Sequence, residues 1–324
     1  MDARRNVVAR AASALRPSPT AISRRTRPSA HLFLLGTDYH LGDLLSFTAV
    51  LATYRRQIGP AYLVVGYPDP LLGRILEHNP LIDELLYGTA HDVMATVRAR
   101  FRDAVVLHDL RILPVALAML REWRRRLPWL YYRDLWLDRR GQWLATFLQL
   151  GRLQDVRPVL RVVEDDRTTA SILPRPYVVL APHIGRYRLP VLGWFWRRVK
   201  SWGDAHWVAL ADGLRAQGYE PITLAAAGQA PIRGTRALTG LPIRQVAGVI
   251  EQAAALITVE SGLWFVAAAL GTPIIIVPWW LPRSINWVAP MGVPHRLIYR
   301  DQASVHHVLS QFRDLVARAP STRL

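Results

Sequence analysis

Short apolar runs alternate with longer segments of helical periodicity along most of the chain. In the first half, apolar runs lie at 31–35, 61–67, 83–88 and 103–110, and the segment from Asp43 to about 58 has apolar residues at helical spacing. Strands that alternate with helices are typical of a parallel sheet with helices on both faces. The first half therefore predicts one α/β domain.

A second alternating series begins at 177, after a polar, proline-containing stretch at 166–176 that we interpret as a linker. Because 324 residues exceed one ordinary core, we predict two Rossmann-like domains, at 31–165 and 177–324, facing a central cleft. The last predicted helix, near 304–317, is expected to pack back on the first domain. Ligands of such folds bind in the cleft, outside the carboxyl ends of the strands.

The net charge of +17 and the pI of about 11.1 add an expected attraction to polyanions. Forty of the 41 basic residues are Arg, which makes Lys200 the single lysine. The absence of cysteine excludes disulfides and a thiol nucleophile. Residues 1–30 predict a disordered basic tail without the apolar segment of a signal peptide, although their composition is also typical of a transit peptide. No apolar stretch reaches the ~18 residues of a spanning helix, so we expect a soluble or peripheral protein.

The run ALITVESGLWFVAAALGTPIIIVP places Glu260, Ser261 and Gly262 between a buried strand and a helix of small residues. Exposed backbone N–H groups and the positive end of the helix dipole favour a phosphate at such a position. The Ser261 hydroxyl could donate to that phosphate, and Gly262 would let it approach closely. The residues alone allow an equal alternative, in which Ser261 only caps the helix.

Three ordered segments resemble glycosyltransferase family 9, the heptosyltransferase group of the lipopolysaccharide inner core. They are LGDLLSFTAVLATYRRQ with LLGRILEHNPLIDELL, then RVKSWGDAHWVALADGLRAQG, and finally VIEQAAALITVESGLWFVAAALGTPIIIVP. The resemblance covers most of residues 31–280. It implies a GT-B fold with the acceptor on the first domain and the nucleotide sugar mainly on the second, and inverting transfer without a metal or other cofactor.

The resemblance assigns the catalytic base to Asp43, where Gly42 would permit the tight turn. Local physics offers a rival role for Asp43, that of a helix N-cap. Lys200 matches the family's Lys-x-Trp position and would neutralise the departing diphosphate; an ordinary surface lysine is the alternative. The predicted donor and phosphate site comprises Lys200, Glu260, Ser261 and Gly262, with Ser261 and the start of the helix also stabilising the diphosphate. The only Asp-x-Asp-like cluster, at 164–166, lies next to the predicted linker.

Two departures from the family pattern concern the donor site. Glu260 stands where the family usually has Asp, and Phe265 stands where it usually has His. They leave open a donor other than ADP-heptose, or a GT-B scaffold that binds a nucleotide sugar or a partner without catalysis. A nucleic-acid-binding protein is a further alternative because of the charge, but the sequence contains no recognised binding module. We therefore expect an enzyme that uses a nucleotide sugar, with an ADP-sugar favoured and heptose as one candidate.

A segment at 121–143 combines seven Arg, four Trp and two Tyr. Arg and interfacial aromatics favour anionic membrane surfaces and phosphorylated ligands. The alternatives are a buried Trp face and a solvated Arg face. The functional interpretation predicts a phosphorylated lipid-linked glycan as acceptor and a cytoplasmic protein, peripheral on the inner face of the bacterial inner membrane. The predicted acceptor or membrane surface comprises Arg124, Arg125, Arg126, Trp129 and Arg133.

Overall fold

The structure is a computed structural model that describes residues 29–37, 39–102, 104–111, 148, 150, 153, 156–184, 198–280 and 286–318. Nearly all of the predicted basic tail lies outside these residues. The same holds for the predicted acceptor or membrane surface, Arg124, Arg125, Arg126, Trp129 and Arg133. Both remain predictions.

The first described half contains a four-stranded parallel sheet with the strand order β3-β2-β1-β4. In register, Leu32 pairs with Val64 on one side and with Leu107 on the other. The elements are β1 (Ala30–Leu34), α1 (Leu41–Ile58), β2 (Tyr62–Tyr67), α2 (Pro70–Gly73) followed by a 3-10 turn (Arg74–Leu76), β3 (Glu84–Tyr87), α3 (Ala90–Phe101) and β4 (Val105–Asp109).

The second half contains a six-stranded parallel sheet with the order β10-β9-β8-β5-β6-β7. Its elements are a 3-10 turn (Glu164–Arg167), α4 (Thr168–Ser171), β5 (Tyr177–Ala181), α5 (Asp204–Ala216), β6 (Glu220–Ala225), β7 (Arg236–Thr239), α6 (Ile243–Glu251), β8 (Ala255–Thr258), α7 (Leu263–Leu270), β9 (Ile274–Trp279), two 3-10 turns (Ala289–Met291 and Arg300–Gln302) that flank β10 (His295–Tyr299), and α8 (Val305–Ala317). The predicted α/β class with two parallel sheets is confirmed.

Helix α1 has a continuous buried face. Leu44, Phe47, Val50 and Leu51 are fully buried, and Gly59, with φ of 72°, ends the helix. These side chains belong to a core cluster that also includes Trp264 of α7. The largest apolar cluster therefore crosses from one half to the other, through the contact between α1 and α7.

The last helix differs from expectation. Instead of packing back on the first half, α8 packs against α5 and β10 of its own half. Its Val308, Phe312 and Leu315 are buried in a cluster whose buried members all come from the second half. The apolar stripe of α8 is thus satisfied locally.

The stretch between the two sheets is held by hydrogen bonds to one helix of each half, α1 and α7. Residues 156–163 contain no helix, although the sequence predicts a helical region over about 111–165. Thr48 of α1 accepts from the backbone N–H of Val159, and the Arg157 guanidinium donates to the carbonyl oxygens of Ala268 and Ala269 in α7. Part of the predicted linker, 166–176, is the short helix α4, which packs on α6.

Candidate functional site

Asp43 occupies the third position of α1, not the N-cap. The N-cap is His40, and the Asp43 Oδ2 accepts the backbone N–H of His40 at 2.9 Å. The carboxylate thus caps the helix by reaching back from inside the first turn, as in a capping box. The N-cap alternative was therefore wrong about the position but right that Asp43 takes part in capping. Asp43 remains partly exposed at the carboxyl end of β1.

The first turn of α7 is built differently. Glu260 follows β8 and is buried, and Gly262 is the N-cap without a side-chain capping bond. The Ser261 Oγ lies 3.4 Å from the backbone nitrogen of Leu263 and 3.2 Å from the Oγ1 of Thr258. At 3.4 Å the bond from Leu263 is a weak cap, because N–H···O bonds are commonly near 2.9 Å.

Lys200 and Glu260 form a buried ion pair, with only 7% and 6% of these residues exposed. The Lys200 Nζ also lies 6.0 Å from the centroid of the Trp280 ring, within the range of a cation–π interaction. The structure thus excludes the alternative of Lys200 as an ordinary surface lysine. A buried charge is retained at a cost unless it is paired, so Glu260 fixes the ammonium at this position.

A cavity of about 550 Å³ lies beside this ion pair. Its walls are formed by Val199, Trp279, Trp280, Tyr299, Arg300 and Asp301. Trp279 is 1% exposed, and its indole N–H has no hydrogen-bond partner among the described residues. A buried donor without a partner is costly. The cavity combines flat aromatic faces with both signs of charge.

The two turns meet directly. A Cβ added at Gly262 would lie 3.0 Å from the Cβ of Leu41 and 3.2 Å from the backbone nitrogen of Gly42. A Cβ added at Gly42 would lie 2.8 Å from two ring carbons of Phe265. This corrects the role expected for Gly42. Neither glycine has a positive φ, so neither is required by its backbone conformation, and both lie where α1 packs closely on α7.

A second buried ion pair ties the halves together away from the two turns. Arg244 of α6 donates to both carboxylate oxygens of Asp166, and also to the carbonyl oxygens of Glu77 and Arg161. Burial alone would raise the pKa of Asp166, but the hydrogen bonds from Arg244 and from the Val163 N–H lower it. The acidic cluster at 164–166 therefore has a structural role. In the described part of the chain, no group of three or more His, Asp or Glu side chains could hold a metal ion.

The structure thus brings Lys200, Glu260, Ser261 and Gly262 together at the start of α7 and places the first turn of α1, with Asp43, against them. Sequence reasoning did not identify the cavity residues at 299–301, because β10 itself escaped prediction. The only available signal was the pattern HRLIY, five residues with apolar positions at its end. None of the helices in the described ranges is long and apolar enough to cross a membrane.

Comparison with known proteins supports the recognition made from the sequence. Residues 162–277 match the family model described as glycosyltransferase family 9 (heptosyltransferase). No curated protein sequence gives a significant match.

Solved structures share the fold over nearly the whole chain. A glycosyl transferase family 9 protein from Veillonella parvula has a TM-score of 0.65 at 17% identity, covering 90% of this chain and 98% of its own. The E. coli ADP-heptose lps heptosyltransferase II gives 0.63 at 17% identity, with coverages of 89% and 99%. The E. coli heptosyltransferase WaaC with ADP gives 0.56 at 14% identity, with coverages of 88% and 99%. Residues 162–277 therefore match the model of glycosyltransferase family 9, and the chain shares the GT-B fold of these solved structures.

Proposed function

We propose that this chain is an inverting, metal-independent transferase that moves a sugar from a nucleotide diphosphate to a phosphorylated lipid-linked glycan. The observation that carries the proposal is the contact between the two strand-to-helix turns. It places the first turn of α1, with Asp43, directly against the first turn of α7, where Lys200 and Glu260 are buried. A single displacement across a cleft requires a base on one domain and an anion site on the other.

The donor diphosphate binds at the start of α7. The backbone N–H groups of its first turn and the positive end of the helix dipole favour an anion there. The Lys200 ammonium, held beside Glu260, supplies the positive charge that attracts a phosphate oxygen. The Ser261 hydroxyl, bound only weakly as a cap, is available to donate to the same ligand.

Asp43 acts as the general base. Its carboxylate takes the proton of the acceptor hydroxyl while that oxygen attacks the anomeric carbon of the donor sugar. The bond from this carbon to the diphosphate oxygen breaks on the opposite face, so the configuration inverts. Lys200 and the N-terminal N–H groups of α7 stabilise the negative charge that develops on the leaving nucleotide diphosphate.

The donor is an ADP-sugar, with heptose as the favoured sugar. Support comes from the solved structure of the same fold that contains ADP, the E. coli heptosyltransferase WaaC. The cavity beside Lys200 offers the partly exposed Trp280 as a stacking face for a ring of the donor.

The acceptor and the location follow from charge. A net charge of +17 favours a phosphorylated acceptor such as lipopolysaccharide core and an anionic membrane surface. On this proposal the protein works in the cytoplasm, at the inner face of the bacterial inner membrane, in lipopolysaccharide biosynthesis. Arg124, Arg125, Arg126, Trp129 and Arg133 are the residues proposed to face the acceptor or the lipid.

Two measurements test the function. First, the melting temperature is recorded with ADP, UDP, GDP and CMP, for the native chain and for Lys200→Ala; ADP should raise it by mass action in the native chain only. Second, ADP release from ADP-heptose is followed with heptose-free lipopolysaccharide as acceptor, with and without EDTA. Transfer that survives EDTA and yields the inverted anomer supports the proposal. A retained anomeric configuration, or loss of transfer with EDTA, contradicts it.

A further inference from the structure

Phe265 departs from the family pattern and lies against the turn that carries Asp43. Phe265 is 2% exposed, and its ring stacks on that of Trp264 with centroids 3.7 Å apart. Trp264 is itself fully buried. A ring held between a buried indole and a helix backbone has no room to move aside, because protein interiors are close-packed.

The Phe265 ring packs directly against Gly42. An added Cβ at Gly42 would approach two ring carbons to 2.8 Å, closer than such contacts occur. Since Gly42 does not have a positive φ, the backbone conformation does not require glycine here. The glycine is explained by space alone, and the space is filled by Phe265.

The contact between Gly42 and Phe265 is coupled to the position of Asp43 through the first turn of α1. Gly42 precedes Asp43 in the first turn of α1, and the Asp43 carboxylate is held by the N–H of His40. The Gly42 carbonyl oxygen in turn accepts the Ser46 hydroxyl at 2.8 Å. A shift of Gly42 against Phe265 would therefore displace the whole turn, including the carboxylate, relative to the start of α7.

We infer that Phe265 is a positioning residue that sets the distance between the Asp43 carboxylate and the diphosphate site at the start of α7, acting through Gly42. This rests on the proposed function, in which Asp43 is the base. A misplacement of a reacting group by about 1 Å can lower a rate on the order of 100-fold. An aromatic ring in a dry contact fixes this distance without a hydrogen bond.

The contact itself is tested without an activity assay. The chain has no cysteine, so the double variant Leu41→Cys/Gly262→Cys introduces its only two thiols. The two Cβ atoms would lie about 3.0 Å apart, so a shift of roughly half an ångström brings them to the ~3.5 Å lower limit of disulfides, and mild oxidation should remove both free thiols within one chain. Each single variant serves as the control and should keep its thiol in the monomer. If the double variant keeps both thiols, α1 and α7 are not in contact in solution and the inference fails.

The positioning role is tested by rescue. Gly42→Ala should lower kcat for ADP-heptose at least tenfold while KM changes less than threefold. Phe265→Ala alone should also lower kcat, because the ring that sets the distance is lost. It leaves room for the new methyl group, so the double variant should lose no more than threefold beyond Phe265→Ala alone. Gly213→Ala is the matched control, because this glycine of α5 is filled in the same way by Leu309 of α8, far from the proposed base. It should lower the melting temperature and leave kcat unchanged.

The outcomes separate the two claims. If the native chain transfers no sugar, the proposed function fails and the inference falls with it. If the native chain is active and Gly42→Ala keeps its kcat, only the inference is wrong. Losses from Gly42→Ala and Phe265→Ala that multiply in the double variant also contradict the inference, since the two effects would then not arise from one contact. Native kcat in Phe265→Ala contradicts it as well.

Discussion

The starts of α1 and α7 are the same kind of turn, from a parallel strand into a helix, but they are completed in opposite ways. In α1, Asp43 reaches back to the N–H of His40, so the helix supplies its own negative charge. In α7, the N-cap is Gly262 without a side-chain cap, and the nearby Lys200 is paired with Glu260. One end already has its anion, and the other keeps the capacity to accept one.

This difference indicates how the fold divides the labour of transfer. An external phosphate at the start of α1 would be repelled by the Asp43 carboxylate, whereas the start of α7 offers N–H groups and an ammonium. Because the two helix ends meet through Gly42 and Phe265, the Asp43 carboxylate and the anion site are held at a fixed separation. The comparison can be broken by changing either end.

The largest expected effect is at the α1 end. Asp43→Asn should reduce kcat for sugar transfer about 100-fold or more, because a positioned base commonly contributes on the order of 10²–10⁴. The Asn side-chain oxygen can still accept the N–H of His40, so the melting temperature should change little. The matched control is Asp92→Asn, which alters the third position of α3, where the Asp also takes part in a helix cap. Asp43→Asn with more than a tenth of native kcat would exclude the base.

At the α7 end, Lys200→Met should destabilise the fold by roughly 3–5 kcal/mol, because it leaves the buried Glu260 carboxylate without its partner. Urea unfolding measures this loss. Adding Glu260→Leu should restore most of the stability but not ADP binding. Arg244→Met, which breaks the other buried pair, is the control that should lose stability while keeping its affinity for ADP. Full ADP affinity in Lys200→Met/Glu260→Leu would contradict the proposed phosphate site.

The far ends of the two helices also differ, and the α1 end predicts a pH dependence. The Tyr54 hydroxyl lies 2.6 Å from His31 Nδ1 and 2.7 Å from His108 Nε2. Burial, together with the nearby His31, lowers the pKa of His108 from 6.5 to about 4. As pH falls from 6.5 towards 4, the unfolded chain is protonated first, so folding should lose roughly 2–3 kcal/mol.

Urea unfolding at pH 7 and pH 4.5 measures this loss. His108→Gln, which cannot titrate but can still hydrogen-bond to Tyr54, should be less stable at pH 7 and show a smaller decline on acidification. His91→Gln, at an exposed position of α3, is the control and should keep the native decline. An unchanged decline in His108→Gln would show that His108 is not responsible.

The smallest effect is expected at the far end of α7. There Arg157 donates to the carbonyl oxygens of Ala268 and Ala269, where the helix dipole is negative. Arg157→Gln should cost about 1 kcal/mol in urea unfolding, with ADP binding unchanged. A change near zero in the free energy of unfolding would show that the segment 156–163 is held in place without this contact.

The sequence predicted the core strands and the longer helices, because buried parallel strands are continuous apolar runs and the helices keep their period. It did not predict the strands Arg236–Thr239 and His295–Tyr299. Both lie at the two edges of the second sheet, where an edge strand carries fewer buried apolar residues. The packing of α8 on α5 was also not predicted, since an apolar stripe does not state which neighbour covers it.

Of the candidate site, the sequence predicts the residues of the two turns, but neither their contacts nor the cavity residues at 299–301. Lys200 and Glu260 are both candidates from the sequence, but they are 60 residues apart and the sequence does not predict that they form an ion pair. The sequence predicts a tight turn at Gly42, because the residues next to a glycine indicate only its local backbone conformation. Its actual constraint, the Phe265 ring, comes from a residue more than 200 positions away and depends on the packing of the two halves.

The most direct test of this division of labour is one calorimetric titration with ADP, run on the native chain, Asp43→Asn and Lys200→Met/Glu260→Leu. The account predicts that Asp43→Asn binds ADP with a Kd within threefold of the native value. The double variant should lose at least tenfold in affinity, about 1.4 kcal/mol. Equal affinities in all three proteins, or a loss confined to Asp43→Asn, would contradict the assignment of the nucleotide to the start of α7.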